Sequence, residues 1–194
     1  EMDPRRYGDW ACGKYALEKS IDEYEHMYAT HYPGEFRDAG RPVRPTPIFK
    51  KLKAHGAVFA ETFGWERAKW FDSSGHGEQY SFRRNNSYDS VAKECMAVRE
   101  RVGLLDLTSF AKYEISGSDT ETFLQRICAN RIPKREGGVA LVHMLTDLGG
   151  IECEATITRI EENKYYALSG AVAETHDYDW LVQHILHDEK GTVR

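Results

Sequence analysis

Two carboxylates and a thiol alternate along Gly149-Gly150-Ile151-Glu152-Cys153-Glu154-Ala155-Thr156-Ile157-Thr158. In an extended segment successive side chains point to opposite faces. Ile151, Cys153, Ala155 and Ile157 therefore share an apolar face, and Glu152, Glu154, Thr156 and Thr158 share the other. A thiol among apolar neighbours is a protonated, inert group rather than a nucleophile. A carboxylate on the opposite face does chemistry only where it points into a pocket, as a proton acceptor or a fixed negative charge. On a solvated sheet face it is a polar residue and nothing more. Spacing alone leaves both readings open. His143-Met144-Leu145 leads into the glycine turn, and a strand histidine is either a hydrogen-bonded structural residue or a proton carrier. Arg83-Arg84, beside Tyr80, Phe82 and Tyr88, offers either an anion contact or a charged loop edge.

Other chemistries lack their residues. The 194 residues contain no GxGxxG and no GxxxxGK[ST], so no nucleotide-phosphate cradle is expected. None of the eight histidines falls in an HExxH spacing; His184 and His187, at i and i+3 near a helix end, read as a solvated face, and no metal site is expected. The four cysteines have no CxxC spacing and read as reduced thiols of a non-secreted protein. A net charge of −5 argues against a general nucleic-acid footprint. No apolar run is long enough for a transmembrane helix, so neither nucleic acid nor membrane is an expected partner.

The elements that must position these residues can be read from period and punctuation. Leu17, Ile21, Tyr24 and Tyr28 stack on one face of a helix within Tyr7–Tyr28. Three prolines in Pro42–Pro47 make an extended connector, with Pro47 opening a short helix through Leu52. Ala57–Ala60 reads as a strand. Phe63–Tyr80, rich in aromatics and glycines without a period, reads as a structured loop with Ser73–Gly77 as its flexible part. After it, Asp89 caps a helix with Val91, Cys95, Val98 and Val102 as its apolar stripe, ended by Gly103. Leu104–Leu107 and Lys112–Ile115 read as strands. Ser118 and Glu121 form a capping box before Phe123, Leu124 and Ile127. Strands follow at Val139–Leu145, Ile151–Arg159 and Tyr165–Leu168, then an amphipathic helix over Glu174–His187. The order β–β–α–β–β–β–α–β is an α+β pattern, with a mixed or antiparallel sheet and packed helices. The expected division is residues 1–72 and 79–194. The start at Glu1-Met2-Asp3-Pro4 and the strand-like end at Gly191–Arg194 suggest a fragment.

Several motifs in order resemble the dimethylglycine and sarcosine dehydrogenase family. Asp3-Pro4-Arg5-Arg6-Tyr7-Gly8, His31-Tyr32-Pro33-Gly34-Glu35, Gly40-Arg41-Pro42 and Gly64-Trp65-Glu66-Arg67 through Trp70-Phe71 are similar to that family's central linker domain. Tyr80-Ser81-Phe82-Arg83-Arg84-Asn85, Arg101 to Phe110, and the Gly149-Gly150 turn are similar to the start of its folate-binding domain, itself similar to the glycine-cleavage T-protein. The resemblance implies a small helix-and-strand linker domain over 1–72, then the first half of an aminomethyltransferase-like folate domain over 79–194. It implies an enzyme whose FAD-binding domain, absent from this chain, oxidises a methylated amine such as dimethylglycine or sarcosine. The released one-carbon unit passes to tetrahydrofolate. The flavin domain and the second half of the folate domain are then the missing partners, and this chain alone is expected to be inactive.

By the same resemblance, Glu154 takes the place of the T-protein's catalytic Asp, with one methylene more. Gly170 takes the place of an Asn that contacts the pterin, a departure that favours the dehydrogenase branch. Phe110, Leu141, His143 and Met144 would form the collar of the folate site. The implied chemistry is electrostatic: a carboxylate beside an iminium stabilises its positive charge and takes or relays a proton as the folate amine attacks. Two other functions stay open: a flavin-free T-protein-like one-carbon transferase or demethylase, and a non-enzymatic regulatory subunit of pyruvate dehydrogenase phosphatase. The expected location is the mitochondrial matrix in a eukaryote and the cytoplasm in a bacterium.

Overall fold

The structure is a computed structural model that describes residues 7–194. Asp3–Arg6 of the first resemblance motif lie outside the described residues. The chain falls into two compact units, Tyr7–Ser109 and Phe110–Arg194. No helix of the described residues is long and apolar enough to cross a membrane.

In the first unit a 3-10 turn at Asp9–Ala11 leads into α1 (Gly13–His26), and α2 (Phe49–Ala54) precedes a hairpin of β1 (Ala57–Thr62) and β2 (Trp65–Phe71). The strand at β2 replaces the loop expected over Phe63–Tyr80. Its signal is hidden because Phe63-Gly64 is an unusual turn pair. Both residues have positive φ, 48° and 75°, as a two-residue hairpin loop demands. Phe63 is held in that strained region by stacking on Tyr7, with ring centroids 5.8 Å apart. Gly64 is required twice over: a Cβ there would lie 2.6 Å from the Trp10 ring.

The two helices of this unit that carry apolar stripes dock by their polar sides. In α1, Leu17, Ile21 and Tyr24 face solvent, as does Tyr28 just beyond its end. The helix attaches instead through Tyr15, whose hydroxyl donates to Glu61, and through Lys19, whose Nζ lies 2.9 Å from Glu61 Oε2. The next helix, α3 (Tyr88–Glu100), ends before Gly103 and leaves Val91, Cys95 and Val98 exposed. It is tied to β2 by Glu94, whose Oε1 accepts the Phe71 N–H at 3.1 Å. A two-stranded sheet has unpaired edge groups, and a carboxylate supplies what an apolar stripe cannot. Asp72 orders the expected flexible part: its carboxylate accepts the Ser74 amide, the Ser74 hydroxyl and the Gly77 amide at 2.6–2.8 Å. Leu104–Leu107 does not form the strand expected, and Leu104, Leu105 and Leu107 are exposed.

The second unit is a five-stranded sheet in the order β4-β5-β6-β3-β7. The strands are β3 (Ala111–Ser116), β4 (Val139–Leu145), β5 (Ile151–Glu161), β6 (Lys164–Ser169) and β7 (Thr192–Val193), with every pairing antiparallel. One face packs on α4 (Thr120–Ile127) and α5 (Glu174–Gln183). Ile115, Phe123, Leu124, Val142, Ile157, Tyr165 and Leu181 form the centre of that core. The α+β class with an antiparallel sheet and packed helices is therefore the observed one.

Three local expectations are corrected. α4 is preceded by Asp119 rather than a Ser118–Glu121 capping box. Glu121 instead accepts from the buried Arg159 guanidinium at 2.8 Å, and Asp119 accepts the Lys190 amide at 2.8 Å. α5 stops at Gln183, where His184 folds back so that its ring lies 2.7 Å from the Trp180 carbonyl. Ile151 starts β5 exposed, because the strand's first residues run past the core.

Candidate functional site

The residues singled out in the sequence mostly meet on the uncovered face of the five-stranded sheet. On β5, Cys153, Ala155 and Ile157 are buried, while Glu154 points the other way with its side chain 58% exposed. On β4, His143 is the direct partner of Glu154 across the ladder. Its Nε2 lies 2.7 Å from Glu154 Oε2. Directly opposed side chains on antiparallel strands are close enough for this pairing without distortion.

The register extends the row. Thr156 pairs with Leu168 and Ala111 with Ser169, so Gly170 and Phe110 continue the line His143–Glu154 across the sheet. Three strand spacings make that row about 14 Å wide. Leu141, Thr156 and Leu168 form the next row. Leu141 and Phe110 are exposed apolar surface. A single carboxylate–imidazole pair thus stands on a face flanked by Leu141, Leu168 and Phe110.

Met144 does not belong to that group. Alternation along β4 sends Val142 and Met144 to the core, where Met144 is 2% exposed, opposite to the face of Leu141 and His143. A Cβ added at Gly170 would meet only Val172 at 3.8 Å, so no close approach of backbone demands glycine there.

Behind the sheet lies a second constellation that residue spacing did not reveal. Cys153, on the buried side of β5, faces His176 and Asp177 at the start of α5. His176 Nδ1 is 3.0 Å from Asp177 Oδ1, and its Nε2 is 2.9 Å from Glu152 Oε1. The hydrogen bond to Asp177 is the main cause that holds the imidazole above its ordinary pKa. Burial, then the negative charge of Asp177, pushes the Cys153 thiol up, and burial alone raises Cys128 to about 12. Both thiols are therefore protonated at neutral pH, in line with the expected inert cysteine. More than twenty residues separate Cys153 from His176, and only the packing of α5 on the sheet joins them.

A recess of about 870 Å³ lies in the first unit beside α1. Of the charged groups that line it, Arg37 pairs with Asp22 and Glu23, and Lys19 pairs with Glu61 of β1. It offers a ligand no uncompensated charge of that set, so the chemistry is better sought at Glu154.

The architecture of the second unit defines the class. The solved glycine cleavage system aminomethyltransferase T of Bartonella henselae superposes with a TM-score of 0.61 over 77% of this chain and 37% of that one, at 19% identity. The chain belongs to the GCVT N-terminal domain family, which matches residues 48–193. Residues 1–46 match the FAD dependent oxidoreductase central domain. The compact unit Tyr7–Ser109 thus spans the end of one match and the start of the other. Mitochondrial dimethylglycine dehydrogenase of Rattus norvegicus is 36% identical over 184 residues, covering 93% of this chain and 21% of that protein. Mitochondrial sarcosine dehydrogenase of Homo sapiens is 26% identical over 218 residues, covering 92% of the chain and 24% of that protein. The chain is homologous to these dehydrogenases and spans between a fifth and a quarter of their length.

Proposed function

We propose that this chain is the central part of a longer flavin-dependent dehydrogenase or oxidase of N-methylated glycines, and that its open sheet face handles the one-carbon unit on tetrahydrofolate. The observation that carries the reading is the Glu154–His143 pair, a carboxylate held at 2.7 Å by an imidazole on the sheet face opposite the core, with Leu141, Leu168 and Phe110 beside it. The homology to dimethylglycine and sarcosine dehydrogenases supplies the substrate class.

The donor set fits a folate headgroup. A pterin is a flat heterocycle with several N–H donors; Glu154 offers a carboxylate, Thr156 a hydroxyl, and Leu141, Leu168 and Phe110 apolar surface for the ring. Tetrahydrofolate, when bound, supplies the nitrogens that take up the one-carbon unit. The chain's own residues do the rest. His143 Nε2 fixes Glu154 Oε2, and Glu154 Oε1 takes no hydrogen bond from the described residues. That oxygen is the one placed to stabilise developing positive charge and to accept a proton. The carboxylate gains strength only when ligand and the remaining domain exclude water from the face. Flavin has no matching residues here, since no glycine-rich phosphate turn opens a helix. Amine oxidation therefore belongs to sequence outside this chain. The proposal places the protein in the mitochondrial matrix of a eukaryote or the cytoplasm of a bacterium.

The test uses the longer protein and Glu154→Gln. Flavin reduction by the methylated amine should stay within about twofold of the parent. Capture of the one-carbon unit by tetrahydrofolate should drop roughly 100-fold, the usual scale for one positioned proton acceptor, with formaldehyde released instead. One-carbon transfer at the parent rate would return Glu154 to a solvated carboxylate on a sheet face.

A further inference from the structure

The Cys153–His176–Asp177 group is independent of the folate reading, since it lies on the helix-covered side of the sheet. One oxygen of Asp177, one ring nitrogen of His176 and the Cys153 sulfur all lie within 4.8 Å of one another. Among the described residues this is the one group of three His, Cys, Asp or Glu donors that converge in this way. Around a tetrahedral zinc ion, bonds of about 2.3 Å to sulfur and about 2.0 Å to nitrogen and oxygen put donor atoms roughly 3.3–3.7 Å apart. Small side-chain rotations bring the three to that spacing, and His176 and Asp177 are already 3.0 Å apart.

Two further features separate this group from an ordinary hydrogen-bonded cluster. The imidazole turns Nδ1 toward Asp177 while Nε2 meets the Glu152 carboxylate at 2.9 Å. A carboxylate on the far nitrogen is the usual support of a metal-bound histidine: it fixes the tautomer and aims the free lone pair at the ion. The charges also balance. Asp177 is 5% exposed and Cys153 3%. A carboxylate and a thiolate neutralise a divalent cation, and a buried charge is stable only when paired or metal-bound.

We propose that Cys153 Sγ, His176 Nδ1 and Asp177 Oδ1 bind one zinc ion, with Glu152 orienting His176 and a water completing the tetrahedron. The donor set selects the metal: one thiolate, one imidazole and one carboxylate suit zinc, and exclude magnesium and calcium, which take oxygen donors. On binding, the Cys153 thiol gives its proton to solvent as the S–Zn bond forms, and no electron changes hands. The ion joins β5 to the first turn of α5, so its role is to fix the helix against the sheet.

Cobalt(II) is the probe, because it replaces zinc and is coloured. The full chain carries Cys12→Ser and Cys95→Ser, which removes the two exposed thiols. After chelator treatment it should bind one cobalt per chain, with a thiolate-to-cobalt charge-transfer band and tetrahedral visible bands that zinc bleaches. Zinc should raise its melting temperature. His176 is half-buried at the surface, so His176→Gln keeps the fold, checked by circular dichroism, and loses both the bands and the zinc-induced shift. Glu152→Gln should keep the charge-transfer band but weaken affinity about 10- to 100-fold. Cys153→Ser, nearly isosteric, should abolish the charge-transfer band. The assignment is overturned if the chain takes up no stoichiometric cobalt, if the charge-transfer band survives Cys153→Ser, or if His176→Gln binds as tightly as the parent.

Discussion

Removing either partner of the Arg41–Glu66 pair should unfold the first unit more readily than any comparable surface change. Arg41 Nε and Nη2 donate to the two oxygens of Glu66 at 3.0 and 2.7 Å, and both side chains are under a tenth exposed. Nη2 also donates to the Phe59 carbonyl at 3.1 Å, and Nη1 to Asp38 at 3.3 Å. Burial by itself would lower the guanidinium's pKa, yet the Glu66 hydrogen bonds and charge outweigh it and hold the pKa above its ordinary value. Glu66→Gln leaves a buried cation with only the exposed Asp38 carboxylate in contact, and the loss of its buried counter-charge costs about 3–5 kcal/mol. With a urea m-value of about 2 kcal/mol/M, the midpoint should fall by about 2 M. Arg41→Met leaves the buried Glu66 carboxylate without its guanidinium donors and removes the hydrogen bond to the Phe59 carbonyl, and should cost about the same. Arg41→Met with Glu66→Leu removes both charges together and should cost only about 1–2 kcal/mol, from the lost hydrogen bonds to Phe59 and Asp38. The coupling in the cycle is then several kcal/mol. Tryptophan fluorescence reads mainly the first unit, since three of the four tryptophans, Trp10, Trp65 and Trp70, lie in it. Single substitutions that each cost less than about 1 kcal/mol, or a double that equals their sum, would refute the argument.

Ile157 has no exposed surface at the centre of the second core, so Ile157→Ala should cost about 2–5 kcal/mol in urea melts followed by far-ultraviolet circular dichroism. Leu141→Ala, on the open face, should change stability by no more than about 0.5 kcal/mol; equal costs would contradict the assignment of the two faces. Hydrogen bonds from the Ser74 hydroxyl and amide, and then from the Gly77 amide, hold the Asp72 carboxyl down to about 2. A carboxyl depressed in the folded state gives stability that is present above its unfolded pKa of about 3.9 and is lost as pH falls through about 2. Asp72→Asn should therefore lose slow amide exchange at Ser74 and Gly77 at pH 5, while the parent keeps it; unchanged exchange would show the carboxylate does not order this loop.

Much was legible in residues 110–194 because their sheet has one buried face. Strict alternation of Cys153, Ala155 and Ile157 against Glu154, Thr156 and Thr158 is enough to assign each side chain to its face. Glu154 and His143 were legible as candidates, and their registry as direct partners came only from the ladder. The same alternation sends Met144 to the core, away from Leu141 and His143 on its own strand. In residues 7–109 periodicity misled. The apolar stripes of α1 and α3 look like buried faces, but Glu61 and Glu94 bind those helices by their polar sides. A stripe says which side is apolar, not which side meets a partner, and tertiary packing decides the second. The Gly40-Arg41-Pro42 and Gly64-Trp65-Glu66-Arg67 motifs were visible as text. That Arg41 and Glu66 meet as a buried bidentate pair, 25 residues apart, was decided by the fold. So was the meeting of Cys153 with His176 and Asp177. A sequence records which donors exist; convergence on one point depends on long-range packing that no local period encodes.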